Sequence, residues 1–303
     1  MATQVVNGKG FEWAVATVAA ERLLIPLQVG QEQPHAAVCF SRLSSAKQAH
    51  FRKCAEGAIA YVIEREKLPT GATGSVALSG DVAGEKGDVR DVLIVVNGRQ
   101  IGVSCKTNHE AFKHPRLSGT IDFVRKWDLG GTCSEAYWAA VRPVFAELAE
   151  IRDSSKSTTT WASIEGYQER YYQPVLKAWR EELLRIAGGT DVSSQQAATA
   201  LAHYVIGKID FWKVVASNSE VRLYSFNVNK TLGTKTTTLP NRIIGIDAID
   251  GSQYSMTVHM NNGYQFNFRI HNAKSTVEPS LKFDVQAEGL PPQQIHQHTL
   301  DLS

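Results

Sequence analysis

Asp91 and Lys106 are the two residues of this chain whose types and spacing point most directly to chemistry. Asp91 heads the apolar run Val92 to Val96, and Ile101-Gly102-Val103 returns to deliver Ser104, Cys105 and Lys106. Between the two runs stands Asn97-Gly98, a pair that tolerates the positive φ of a type I′ hairpin turn. Both ends are nearly equidistant from that turn, so the carboxylate and the ammonium are expected side by side on neighbouring strands. Such a pair suits phosphodiester hydrolysis. The ester's charge repels hydroxide, and attack builds further charge on its oxygens. A carboxylate holding Mg2+ offsets that charge and lowers the pKa of a bound water. A lysine beside the phosphate adds a compact cation that can orient the nucleophile. The bland alternative is a strand that ends in one acid and one solvated lysine, so the flanking residues carry the decision.

The elements around this hairpin are readable from periodicity. A first helix is expected from about Gly8 to Leu23-Leu24-Ile25, stopped by Pro26, with Phe11, Val15, Val18 and Arg22 on one face and Glu12 beside them. A second is capped by Ser44 or Ser45 and buries Phe51, Cys54, Ala55, Ala58, Ile59 and Val62. The glycine-rich segment from Leu68 to Gly87 holds a short strand, Ser75 to Leu78. After the hairpin come a helix from Ser134 through Glu150, with Pro143 a kink or early break, and a long helix from Trp161 to Ala187. A helix from Asp191 to Ile206 and a strand from Ile209 to Val215 follow, the strand being suited to join the hairpin's sheet. Strands at Val221 to Asn227, Arg242 to Ile249, Gln253 to Met260 and Tyr264 to Ile270, with Asp250-Gly251 and Asn262-Gly263 among the turns, make a meander. Trp161, Tyr167, Tyr171, Tyr172 and Trp179 recur near helical spacing and read as core.

The hairpin with its acid and its closing lysine resembles the PD-(D/E)XK nucleases, with Ser104 where that pattern has a second acid. A neutral hydroxyl is a poor Mg2+ ligand, so another carboxylate is needed. The continuation Lys106-Thr107-Asn108-His109-Glu110-Ala111-Phe112-Lys113-His114-Pro115-Arg116-Leu117-Ser118 is more specific. With Arg269-Ile270-His271-Asn272-Ala273, Ser280 to Val285, and the opening Gly8-Lys9-Gly10-Phe11-Glu12, it is similar to the HaeIII-type type II restriction endonucleases. That resemblance implies an α/β (α+β) fold: a nuclease core with a mixed sheet flanked by helices, plus a C-terminal antiparallel meander. The expected division is a core over residues 1–217, with a helical insertion at about 155–207, and a β-rich region over 218–303 that packs on the core and serves DNA recognition.

The resemblance also implies roles. Asp91 would hold Mg2+ with the main-chain carbonyl of Cys105, Lys106 would position water, and Ser104 would line the site. Glu12 is the first candidate for the missing carboxylate, with Glu56 as rival, and Asp88 or Glu85 is a further source. Asn108, His109, Lys113, His114 and Arg116 follow directly on Lys106, so they are expected to contact DNA near the cut phosphate, the cations on the backbone and Asn or Arg on base edges. Lys235 and Arg242 in the loop from Thr231 to Asn241 are candidates for phosphates or a groove, or an ordinary polar connection. The implied activity is cleavage of double-stranded DNA at the palindrome GGCC to blunt ends. A homodimer and a cognate methyltransferase are the implied partners. Alternatives are a repair or junction nuclease and a DNA-binding protein without catalysis.

Composition narrows the class without choosing within it. The chain has 303 residues, 43% hydrophobic and 20% charged, enough for a large core. No apolar run reaches membrane-span length and no signal-peptide pattern opens the chain. Cys39, Cys54, Cys105 and Cys133 have no paired metal spacing, which suits free thiols in a reducing cytoplasm. The formal charge of +2 leaves phosphate affinity to local patches. Neither glycine-rich stretch completes a Walker pattern, and no Gly-x-Ser-x-Gly elbow is present.

Overall fold

A computed structural model describes residues 3–28, 30, 33–79, 88–108, 111–154, 158–188, 192–248 and 254–298. The chain forms two compact units, the first from residues 1–110, 207–238 and 292–303 and the second from 111–206 and 239–291.

The first unit begins with α1 (Thr3–Leu23), which starts earlier than expected and stops where Leu24 takes φ 53°, two residues before Pro26. Next is α2 (Gln33–Ser41), which the sequence reading missed. Ser44 caps α3 (Ser45–Glu66) by accepting the Lys47 N–H at 3.3 Å, and the helix closes at Lys67 in the left-handed region. Phe51, Cys54, Ala55, Ala58, Ile59 and Val62 are buried, as periodicity predicts. β1 (Gly74–Leu78), β2 (Val92–Val96) and β3 (Arg99–Thr107) follow, with Asn97 at φ 50° and Gly98 at φ 79° between the last two. Both positive angles are those of the expected I′ turn.

The chain then enters the second unit through β4 (Arg116–Leu117), α4 (Phe123–Lys126), α5 (Glu135–Ser154), α6 (Gln173–Ala187) and α7 (Val192–Ile206). It returns for β5 (Phe211–Ala216) and β6 (Val221–Phe226), builds β7 (Ile243–Ala248), β8 (Ser255–Met260), β9 (Gln265–Asn272) and β10 (Leu281–Gly289), and comes back with β11 (Ile295–His298). The first unit's sheet runs β1-β2-β3-β5-β6-β11 and is mixed, because β3 and β5 are parallel while the other neighbours are antiparallel. Val92, Ile94, Val103, Cys105, Trp212 and Val214 join α1 and α3 in one apolar core. The second unit's sheet, β4-β10-β9-β8-β7, is wholly antiparallel. Its core is aromatic: Trp179 lies 4.8 Å from Phe268 and 4.9 Å from Phe283 between ring centroids, and Trp127 stacks on Tyr204.

Several expectations change. The boundary drawn at 217 would part β5 from β6, which pair over six residues. The meander therefore starts at β7 rather than at Val221, and it shares a unit with the helices that were read as an insertion in the core. The long helix from Trp161 is three pieces, a 3-10 turn at Trp161–Ser163, a π turn at Gln168–Tyr172, and α6. Gly166 at φ 62° separates the first two, and Pro174 sits in the first turn of α6, where its missing N–H is tolerated. Pro143 lies inside α5 without ending it. Trp161, Tyr171, Tyr172 and Trp179 are buried, as core residues should be.

Candidate active site

Asp91 stands at the entrance to β2 in the first unit. Its N–H donates to the Val103 carbonyl at 2.9 Å, although the register partner of Val103 is Val92. Two successive residues thus face one, a bulge that re-aims the Asp91 side chain. The carboxylate meets the end of β3: Oδ2 accepts from the Cys105 N–H at 2.6 Å and from Ser104 Oγ at 3.1 Å, with Lys106 Nζ at 3.5 Å. The register sets Lys106 two residues beyond Ser104, so the acid and the lysine meet on a diagonal rather than side by side. Three donors converge on one oxygen, and among the described residues none is aimed at Oδ1. Burial works against the Lys106 ammonium, but Asp91, Cys105 and Glu12 outweigh it and keep its pKa above the usual lysine value.

Glu12 reaches the same place from α1. It is buried and pairs with Lys9 Nζ at 3.2 Å. Burial, and then the charge of Asp91, push its pKa up to about 8, while Lys9 and Lys106 pull it down. Two carboxylates close enough for the charge of one to raise the pKa of the other are a fit for a hard divalent cation, which would reverse that pressure. The groups that could hold such an ion are all oxygen: the carboxylates of Asp91 and Glu12 and, as expected from the sequence, the main-chain carbonyl of Cys105. Among the described residues no three His, Cys, Asp or Glu side chains gather as a metal cluster. The Cys105 thiol lies in the apolar core, raised well above the usual cysteine value first by burial and then by Asp91 and Glu12.

The profile of the HaeIII restriction endonuclease family matches residues 8–291. The chain belongs to that family. It is 30% identical over 307 residues to the type II restriction enzyme HaeIII of Haemophilus aegyptius, which covers 94% of each chain. No solved structure matches. The matched segment takes in Glu12, Asp91, Ser104, Cys105 and Lys106 and spans both units. Membership makes this HaeIII-family chain a restriction endonuclease.

The remaining sequence-predicted positions divide into those left open and those already engaged. Asp88 does not join Asp91. Its two oxygens take the Arg90 guanidinium at 2.8 and 2.7 Å, and Oδ1 takes the Arg90 N–H at 3.1 Å. Despite burial, those bonds hold its carboxyl below the usual range. Glu56 is paired with Arg52 on the exposed side of α3. His109 and Glu85 lie outside the described residues. Asn108 is exposed just past β3, at φ 52°, with its N–H on Ala216. In the second unit Lys113 is turned inward: Nζ donates to the Tyr204 carbonyl at 2.9 Å and lies 3.8 Å from that ring's centroid. His114 is exposed, 3.6 Å from Asp284, and Arg116 is exposed beside Ser280 and Glu278. Lys235 is exposed on loop 227–238, which Asn227 secures through Leu232, Thr234 and Thr237, and Arg242 is exposed at the start of β7.

Two parts of the site escaped the sequence reading. Lys9 stands inside the opening block, where the sequence gives it no role, and it pairs with Glu12 at 3.2 Å. Arg90 lies flat on the sheet because Gly102 has no side chain: a Cβ there would stand 2.0 Å from Arg90 Cδ. Gly102 alternates with Ser104 and Lys106 on one face of β3, so Arg90 and its partner Asp88 brace the approach to Asp91.

Proposed function

We propose that this chain hydrolyses phosphodiester bonds of double-stranded DNA at a short palindrome with Mg2+, by the chemistry of the PD-(D/E)XK nucleases. The observation that carries the reading is the meeting of Asp91 and Lys106 at 3.5 Å across β2 and β3. Asp91, Glu12 and the main-chain carbonyl of Cys105 are the residues that would hold Mg2+. When bound, the ion supplies charge neutralisation at the phosphate and a more acidic water. Ser104 and the Cys105 N–H fix the Asp91 carboxylate. Lys106 steadies the phosphate and orients the attacking water, and cleavage leaves a 5′-phosphate. Asn108, His109, His114, Arg116, Lys235 and Arg242 are the side chains proposed to contact DNA, with Lys113 supporting the segment from within.

Kinship to HaeIII supports GGCC as the site, cut at its centre to blunt ends. It also supports a cytoplasmic enzyme with a cognate methyltransferase, and a palindrome favours a two-fold dimer during double-strand cleavage. No helix among the described residues is long and apolar enough to cross a membrane. Digestion of unmethylated plasmid DNA with Mg2+, followed by mapping of the ends, tests the proposal. Discrete fragments ending at GGCC are expected. A smear would favour a nuclease that ignores sequence, and binding without cleavage in Mg2+ or Mn2+ would make the chain a non-catalytic binder.

A further inference from the structure

The second unit collects cations around one buried carboxylate. Glu278, 8% exposed, meets Lys274 Nζ at 2.8 Å, Arg152 Nη1 at 3.4 Å and Arg116 Nη1 at 3.5 Å. Arg116 Nη1 also donates to Ser280 Oγ at 3.1 Å. Across the β4–β10 pair the register partner of Arg116 is Lys282, and directly opposed like charges destabilise a strand pair. Burial first, then Arg116 and Lys274, push the Lys282 ammonium below its usual pKa. The hydrogen bond from Lys274 keeps the Glu278 carboxyl low in spite of burial. Three cations thus meet one carboxylate, with Lys282 a fourth opposite Arg116, and the side chains of Arg152, Arg116 and Lys274 are 37%, 42% and 64% exposed. Fold stability alone would favour a neutral residue at 282. The excess positive charge finds its complement in an external polyanion.

We propose that Arg116, Arg152, Lys274 and Lys282 form a clamp for the phosphate backbone of duplex DNA, preassembled around Glu278. The inference rests on the endonuclease reading and adds Arg152, Lys274 and Lys282 to the DNA-contacting set. Glu278 acts as the keystone. It draws three flexible side chains together before DNA arrives, so less rotamer freedom is lost on binding. Contacts of this kind read charge and not base, and they strengthen binding to any duplex alike.

The test is fluorescence anisotropy of the full chain, without divalent metal, on a duplex containing GGCC and on a scrambled duplex, over a salt series. For Lys274→Gln with Lys282→Gln, the slope of log affinity against log salt is expected to fall by about two on both duplexes, one per lost phosphate contact. The melting temperature is expected to hold, because Lys282→Gln relieves the repulsion with Arg116. Should the double variant fail to fold, exposed Lys274→Gln alone carries a change of about one. Lys177→Gln, at an exposed position on α6, changes the charge by as much as Lys274→Gln alone and controls for net charge against that single variant. An unchanged slope in the double variant, a loss confined to the GGCC duplex, or a loss in Lys177→Gln equal to that in Lys274→Gln overturns the clamp alone. Failure of the unaltered chain to bind either duplex overturns the endonuclease reading, and the clamp with it.

Discussion

A carboxyl pushed up to about 8 at Glu12 makes the metal-free protein pH-sensitive. Folded Glu12 keeps its proton up to that value, whereas the unfolded chain releases it near 4.5, so between the two the folded state binds more protons. Stability in the presence of a chelator is therefore expected to fall as pH rises from about 4.5 to about 8. Glu12→Gln should flatten that decline in urea denaturation across the range. Mg2+ needs the carboxylate, so adding it at pH 7 should expel a proton from the wild type and none from Glu12→Gln, as read by calorimetry in buffers of different ionisation heat. Lys106→Met is expected to slow cleavage on the order of 10²- to 10³-fold while DNA binding persists; gel shift beside a cleavage assay checks both. The meeting of Asp91, Ser104 and Lys106 was legible in the sequence because an Asn-Gly turn fixes register, and register fixes neighbours. The Asp88–Arg90 pair was not, since nothing in the string says that an arginine will lie across a glycine on the next strand.

At the scale of elements, Gly102 is where β3 makes room for that arginine. Gly102→Ala is expected to destabilise the protein by about 1–3 kcal/mol by overpacking against the Arg90 stem. Combined with Arg90→Ala, the same alanine should add little further loss, since its obstacle is gone. A double-mutant cycle by chemical denaturation decides, and additive losses would mean that Arg90 is not the obstacle. The β2–β3 hairpin, α3 and the parallel partner β5 were all predictable, each from a local signal of turn, cap or periodicity. β10 was missed as a strand because its polar residues look solvated, whereas Asp284 is buried and takes Arg269 Nη2 at 2.9 Å. α2 is only nine residues long and buries little beyond Ala36 and Cys39, too short a stripe for periodicity to register.

At the scale of the whole molecule the two units are woven from one chain rather than strung along it. The meander's hairpin signals were visible, but not that β6 and β11 would leave it for the first sheet, because pairing over long separations leaves no mark in local sequence. β11 is well anchored there: His296 meets Tyr61 at 3.0 Å and Ser225 at 2.9 Å, and its ring lies 5.0 Å from that of Trp212. Truncation after residue 291 is therefore expected to lower the melting temperature and to speed amide exchange in β6, although the lost residues follow the second unit in sequence. Unaltered exchange in β6 would show that the edge strand is dispensable. The order of synthesis gives this weave a consequence. As the chain leaves the ribosome, the sheet carrying Asp91 and Lys106 is three strands short while residues 111–206 are made and still one short until β11 follows the meander, so a cell translating this endonuclease receives the six-stranded scaffold only after both units have been made.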